Sequence, residues 1–238
     1  MWIKICGNTS LADAQHAANS GASAVGFVLA PSPRHVTVDQ VRAISPHLPR
    51  NVERIGVFVD ATFDEIVTSV YEADLTGVQL HANNDPDLPR RLRAHFVAET
   101  PAAKISILAV LAFSDDMEPQ IQAIARDAAR DGAIDALLID SRSPVGHGGT
   151  GTRYDWQAAQ HFFRKVAPQL RFIAAGGLHP DNVAEAIRTL TPWGVDVATG
   201  VEAAPGRKDP ARVAAFIRNA RDTFTQLKNA PRARISRR

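Results

Sequence analysis

Along this chain, short apolar runs end in residues of the types that move protons or hold anions. Cys6 closes "WIKIC" (2–6), Asp60 follows "ERIGVFV" (53–59), His81 follows "TGVQL" (76–80) and Asp140 follows "AIDALLI" (133–139). Arg34 lies in "PSPRH", just after "AVGFVL" (24–29). "RFIAAG" and "GVDVAT" lead into Gly176–Gly177 and Thr199–Gly200. A cysteine thiol, with an unperturbed pKa of about 8.5, becomes a general base where positive neighbours lower that value. The alternative is a small buried hydrophobe, the usual lot of a free cysteine. Asp140 is placed either to act as an acid or to cap a turn and pair with Arg142. Arg34 is either a solvated surface charge or a planar fork that grips a substrate carboxylate. His81 is a rim histidine or a substrate contact, and Asp60 is expected to cap or orient a helix starting near Thr62.

Glycines that follow two successive runs let backbone N–H groups approach an anion, which points to a phosphorylated small molecule; turn glycines are the plainer alternative. The loop "GHGGTG" (146–151) has the composition of a lid, or of a mobile surface connection. No set of His, Cys and carboxylate residues has metal-ligand spacing, so no metal is expected.

The elements that must position these groups recur at short intervals. With "ISILAVLAF" (105–113) there are eight apolar, β-branched runs of strand length. Near-continuous apolar runs are what parallel strands show when both faces are covered. Helix-like segments lie between them. Thr37 with Gln40 and Thr62 with Glu65 match the capping box, Ser10 with Asp13 is a looser version, and Val183, Ile187 and Leu190 share one helical face. Eight β/α units predict a single (β/α)8 TIM barrel, with one domain over residues 1–230. An open doubly wound sheet is the rival, but no G-x-G-x-x-G follows the first run. In such a barrel the active site forms at the C-terminal ends of the strands, where Cys6, Arg34, His81, Asp140 and both glycine pairs fall.

Composition narrows the function classes. Apolar residues make up 45% and the formal net charge is +2, yet "PRARISRR" (231–238) holds four of the 27 basic residues. Without that tail, 23 basic residues face 25 acidic ones, so the body is nearly neutral and a nucleic-acid partner is not expected. The tail reads as a disordered, solvated end. One cysteine excludes an internal disulfide and suits a reducing compartment. No run is long enough to span a bilayer, and the start lacks the apolar core of a signal peptide. A cytoplasmic protein, monomer or homodimer, without a membrane partner, is expected.

In order along the chain, "KICG", "SPRHVT", "GVFVD", "GVQLH", "LLIDS" leading into "GGTG", "YDW", "AAGGLHPDNVAEAI" and "GVDVATGVEAAPGRKDP" resemble the phosphoribosylanthranilate isomerases of tryptophan biosynthesis, from residue 3 to about 217. The resemblance implies a cofactor-free Amadori rearrangement of N-(5'-phosphoribosyl)anthranilate to 1-(2-carboxyphenylamino)-1-deoxyribulose 5-phosphate. It implies Cys6 as general base, Asp140 as general acid, Arg34 on the anthranilate part, and the "AAGG" and "ATG" loops on the phosphate. Ala82 stands where the family usually has glycine, Ala198 and Thr199 where a serine pair is common, and the 98–131 region is longer than the family's. The related histidine-pathway isomerase relies on two aspartates, and the cysteine ending the first run argues against it. A binding barrel without turnover would not need a thiol paired with an acid.

Overall fold

In the computed structural model, eight parallel strands close into a barrel in sequence order, each beside the next and β8 beside β1. The structure describes residues 1–81, 85–99, 104–112, 119, 122–124, 132–140, 156, 157, 159, 160 and 170–229. The order is β1 (Trp2–Ile5), α1 (Leu11–Asn19), β2 (Ala24–Val28), α2 (Val38–Ile44), β3 (Glu53–Val59), α3 (Phe63–Glu72), β4 (Gly77–His81) and α4 (Leu88–Glu99). It continues with β5 (Ser106–Ala112), β6 (Ala136–Asp140), β7 (Phe172–Ala174), α5 (Val183–Leu190), β8 (Gly194–Val197), the hairpin strands β9 (Glu202–Ala204) and β10 (Arg207–Lys208), and α6 (Pro210–Asn229). The 146–151 loop, Ala82 and the 231–238 tail lie outside the described residues, as does most of the chain joining β5 to β6 and β6 to β7.

Helix starts obey the local chemistry of the sequence. Thr37 and Thr62 each accept from the backbone N–H three residues on, and Gln40 and Glu65 reach back to the cap N–H, so both boxes are complete. Ser10 accepts from the Asp13 N–H in the same way. Asp60 does not cap α3. Thr62 already satisfies the first turn, and Asp60 is an exposed residue at φ 50°, turning the chain out of β3.

Strand alternation sorts the core into two compartments. Ile3 and Ile5 of β1 face outward and join the large cluster between barrel and helices. Trp2 faces inward and packs with Ala24, Ile55, Leu108, Ala136, Leu138, Ile173 and Ala175, which fill the bore. At the N-terminal mouth, Trp2 Nε1 donates to Glu53 Oε1 at 2.9 Å and Ser106 Oγ to Glu53 Oε2 at 3.0 Å. The lower bore is thus plugged.

Candidate active site

The inward face of β1 reads Trp2, Lys4, Cys6, so the same alternation that buries Trp2 brings Cys6 to the C-terminal rim. The Cys6 N–H donates to Val197 O at 2.8 Å, extending the β1–β8 ladder by one bond. Asn8, fully buried, donates from Nδ2 to Ile5 O at 2.8 Å and Gly26 O at 3.2 Å, and so ties the turn after β1 to β2. Between them Gly7 has φ 71°, and a Cβ there would meet Arg34 Cδ at 2.6 Å. Only glycine suits both the turn and the arginine crossing it.

Arg34 makes a bidentate contact, but with the protein's own Glu202. Nε and Nη2 donate to its two carboxylate oxygens at 2.7 and 2.6 Å. Lys208 completes this strap. Its nearly buried ammonium donates to Glu202 Oε1 at 3.0 Å, to Cys6 O at 2.5 Å and to Ala198 O at 3.3 Å. The β9–β10 hairpin therefore clamps the ends of β1 and β8 together, and Thr9 Oγ1 donates to Gly206 O at 2.5 Å beside it. Burial opposes the charge on Glu202, but Arg34 and Lys208 outweigh it and hold its carboxyl below the usual range. For Lys208 burial prevails and lowers the pKa.

Positive neighbours do surround Cys6, but they do not lower its pKa below the ordinary thiol value. Burial pushes the thiol up; Lys4 is the strongest opposing influence, Asp196 acts with the burial, and Lys208 pulls weakly the other way. Net attraction from two ammonium groups falls short because the site is dry and a thiolate loses its water there.

Asp140 is the last residue of β6, half-buried, two positions past the buried Leu138 on the same face. His81 is likewise the last residue of β4, half-buried, two positions past Gln79. Cys6, His81 and Asp140 thus share one rim, with β7 and β8 standing between the strands of the acid and the thiol.

The two glycine loops meet beside Cys6. Gly176 and Gly177 follow β7 at φ 76° and 64°, and among the described residues their N–H groups have no internal acceptor. Asn182 braces this turn, accepting from His179 N–H at 2.8 Å and donating to Gly177 O at 2.9 Å. Thr199 and Gly200 open a single 3-10 turn after β8. A Cβ at Gly200 would stand 1.9 Å from Leu178 O, so the two loops touch through backbone. Two adjacent backbone turns with free donors can bind an anion. Among the described residues, no group of three His, Cys, Asp or Glu could hold a metal ion.

Sequence reasoning gave no role to Lys4, Gln79, Asp196, Glu202, Lys208 or Asn182. Lys4 carried a signal, a charge at the centre of an apolar run two residues from a cysteine. Glu202 and Lys208 lie inside the quoted "GVEAAPGRKDP" but depend on a hairpin that no periodicity announced.

The chain matches the family model described as N-(5'phosphoribosyl)anthranilate (PRA) isomerase over residues 3–219. It is 37% identical over 218 residues to the N-(5'-phosphoribosyl)anthranilate isomerase of Rippkaea orientalis, covering 91% of this chain and 94% of that protein. Among solved structures, phosphoribosyl anthranilate isomerase from Thermotoga maritima superposes with a TM-score of 0.78 at 33% identity, over 93% of this chain and 99% of the other. A phosphoribosyl anthranilate isomerase in complex with reduced 1-(O-carboxyphenylamino)-1-deoxyribulose 5-phosphate gives a TM-score of 0.76 at 31% identity, over the same shares.

Proposed function

Because this chain belongs to the N-(5'-phosphoribosyl)anthranilate isomerase family, we propose that Cys6 and Asp140 are its base and acid, working on a substrate anchored by phosphate at the Gly176–Gly177 and Thr199–Gly200 turns. The chain is an isomerase of tryptophan biosynthesis that turns N-(5'-phosphoribosyl)anthranilate, an aminoaldose, into the ketose 1-(2-carboxyphenylamino)-1-deoxyribulose 5-phosphate. The observation that carries the residue assignment is the shared rim. One thiol and one carboxyl end β1 and β6 at the same mouth of a bore that is plugged below.

The chemistry follows from those two groups. Asp140, protonated, gives its proton to the ring oxygen of the ribose, and the ring opens to an iminium at C1. The Cys6 thiolate takes the proton from C2, and the electron pair of that C–H bond flows into the iminium to leave an enolamine. Tautomerisation of the enolamine yields the ketose. Protons given and taken balance, and no electron leaves the substrate.

Arg34 presents Nη1, which has no partner among the described residues, and this edge suits the anthranilate carboxylate. Glu202 and Lys208 hold the guanidinium in place for it. His81 lines the same rim as a further substrate contact. A cytoplasmic setting fits this reading, since the substrate is a charged phosphorylated metabolite and, among the described residues, no helix is long and apolar enough to cross a membrane.

The test is turnover of freshly made N-(5'-phosphoribosyl)anthranilate, followed by loss of its fluorescence, with inorganic phosphate as competitor. Phosphate should raise KM and leave kcat alone. Phosphate that lowers kcat without touching KM would remove the anion site from these turns.

A further inference from the structure

Beneath Cys6 the bore holds a cation. Lys4 is fully buried, and its Nζ donates to Gln79 Oε1 at 2.8 Å and Asp196 Oδ2 at 2.9 Å, joining β1 to β4 across the bore and to β8 beside it. An ammonium has three N–H donors. Among the described residues the third has no oxygen acceptor. Cys6 follows two residues later on the same face of β1. Its Sγ and the Lys4 Cε each come within 2.8 Å of the point where a Cβ on Gly26 would stand, so the two atoms are at most twice that distance apart. β2 leaves a glycine there, and the space falls between amine and thiol. The other oxygen of the cluster's carboxylate, Asp196 Oδ1, is buried with no donor among the described residues.

We propose that Lys4 is a positioning residue for proton abstraction: an ammonium pinned by Gln79 and Asp196 that turns its remaining donor on Cys6 and favours that side chain as a thiolate. This rests on the reading of Cys6 as base. The ionisable groups facing Cys6 are Lys4 from its own strand, Asp196 from β8, Lys208 from β10 and Arg34 from the connection after β2; β2 itself presents the uncharged Gly26. Lys4 is the strongest of those that favour the thiolate. Burial works against its own charge, yet Asp196 and Cys6 outweigh that and raise its pKa, so the ammonium persists. A structural role alone does not account for the arrangement, because an apolar pair of similar volume commonly stabilises a core as well as a buried ion pair does. The rest of the lower bore is built that way.

Cys6 is the only cysteine, so the alkaline ultraviolet absorbance change that a Cys6→Ser control lacks reports its thiolate alone. Three variants are compared with the wild type: Lys4→Met; Lys4→Met/Asp196→Asn, which leaves no uncompensated buried charge if the single change fails to fold; and Asp196→Asn, the reference for the double variant. The thiolate midpoint should rise by roughly one to three pH units in Lys4→Met, the size of shift set by an opposite charge at close range, and by less in the double variant. The thiolate limb of kcat/KM should rise with it, with KM unchanged, because Lys4 does not touch substrate. An unmoved midpoint in folded Lys4→Met, or a midpoint in the double variant no higher than in Asp196→Asn alone, overturns the proposal for Lys4. A midpoint that moves while the kcat/KM limb stays put overturns instead the reading of Cys6 as base.

Discussion

Leu138 and Asp140 stand two residues apart on one face of β6, the first in the plugged lower bore and the second on the open rim. On β1, Trp2 and Cys6 repeat the division. Below, inward-facing side chains are apolar and close-packed, and their effect is summed over many neighbours. Above, polar groups are held by a few specific bonds that reach far along the chain, such as Arg34 to Glu202 and Lys208 to Cys6. One strand therefore carries core packing and a rim carboxyl two residues apart, and a substitution's effect should depend on its level in the bore more than on its strand.

The largest effect expected is at the rim. Asp140→Asn and Cys6→Ser should each lower kcat by about 10² to 10⁴, because proton transfer is worth that much, and should lower the melting temperature far less than a change in the packed apolar clusters, to which neither residue belongs. In Cys6→Ser the limb of kcat/KM that belongs to the thiol should vanish. In the wild type burial raises that group, so the limb should lie on the alkaline side of an ordinary thiol. A folded Cys6→Ser variant with normal kcat would erase the difference between rim and bore.

Leu138→Ala, two residues below, should show the opposite pattern, with about 2 to 5 kcal/mol lost in denaturant unfolding and near-normal kcat in the folded fraction. Loss of kcat without loss of stability there would show that the lower bore takes part in the chemistry.

Arg34→Ala should raise KM about ten- to a hundredfold, as loss of a charged hydrogen bond to the substrate would. Arg34→Lys should recover little of this, since a single ammonium cannot reproduce a planar fork already bidentate with Glu202. Equal KM in all three proteins would leave Arg34 as part of the strap alone.

The smallest effect is in acid. Glu202 is held below the usual carboxyl range in the folded protein, so its contribution is present above the unfolded pKa and is lost as pH falls through the lower, folded value. Stability should therefore drop more steeply between about pH 5 and pH 3 in the wild type than in Glu202→Gln, when unfolding free energies are compared by denaturant titration. Parallel curves would detach the strap from acid stability.

Much of the barrel could be read from local pattern, because strand order and strand ends follow from short-range signals. The run at 53–59 coincides with β3, and others shift by one to three residues, as at β8, whose run to Thr199 breaks into a 3-10 turn after Val197. Rim membership of Cys6, His81 and Asp140 came with strand order, since every parallel strand ends at the same mouth. What stayed hidden depends on closure. Lys4 meets Asp196 across 192 positions and Arg34 meets Glu202 across 168, and no local spacing specifies such pairs. The sign of the thiol's shift was hidden for another reason: it is a contest between burial depth and charge, and only charge is visible in a string of letters.

The tie from Lys208 to the Cys6 carbonyl spans 202 positions and sets an order in time as well as in space. Cys6 leaves the ribosome 202 residues ahead of the lysine that pins its carbonyl. At 5 to 20 residues per second, the nascent chain carries its thiol for roughly 10 to 40 seconds before β8 and the hairpin exist to enclose it. Barrel closure is also contact of the highest sequence separation, the slowest kind to form. Throughout that interval Cys6 lacks the surroundings that raise its pKa, so the growing chain is more open to oxidation or alkylation at its one sulfhydryl than the finished enzyme is.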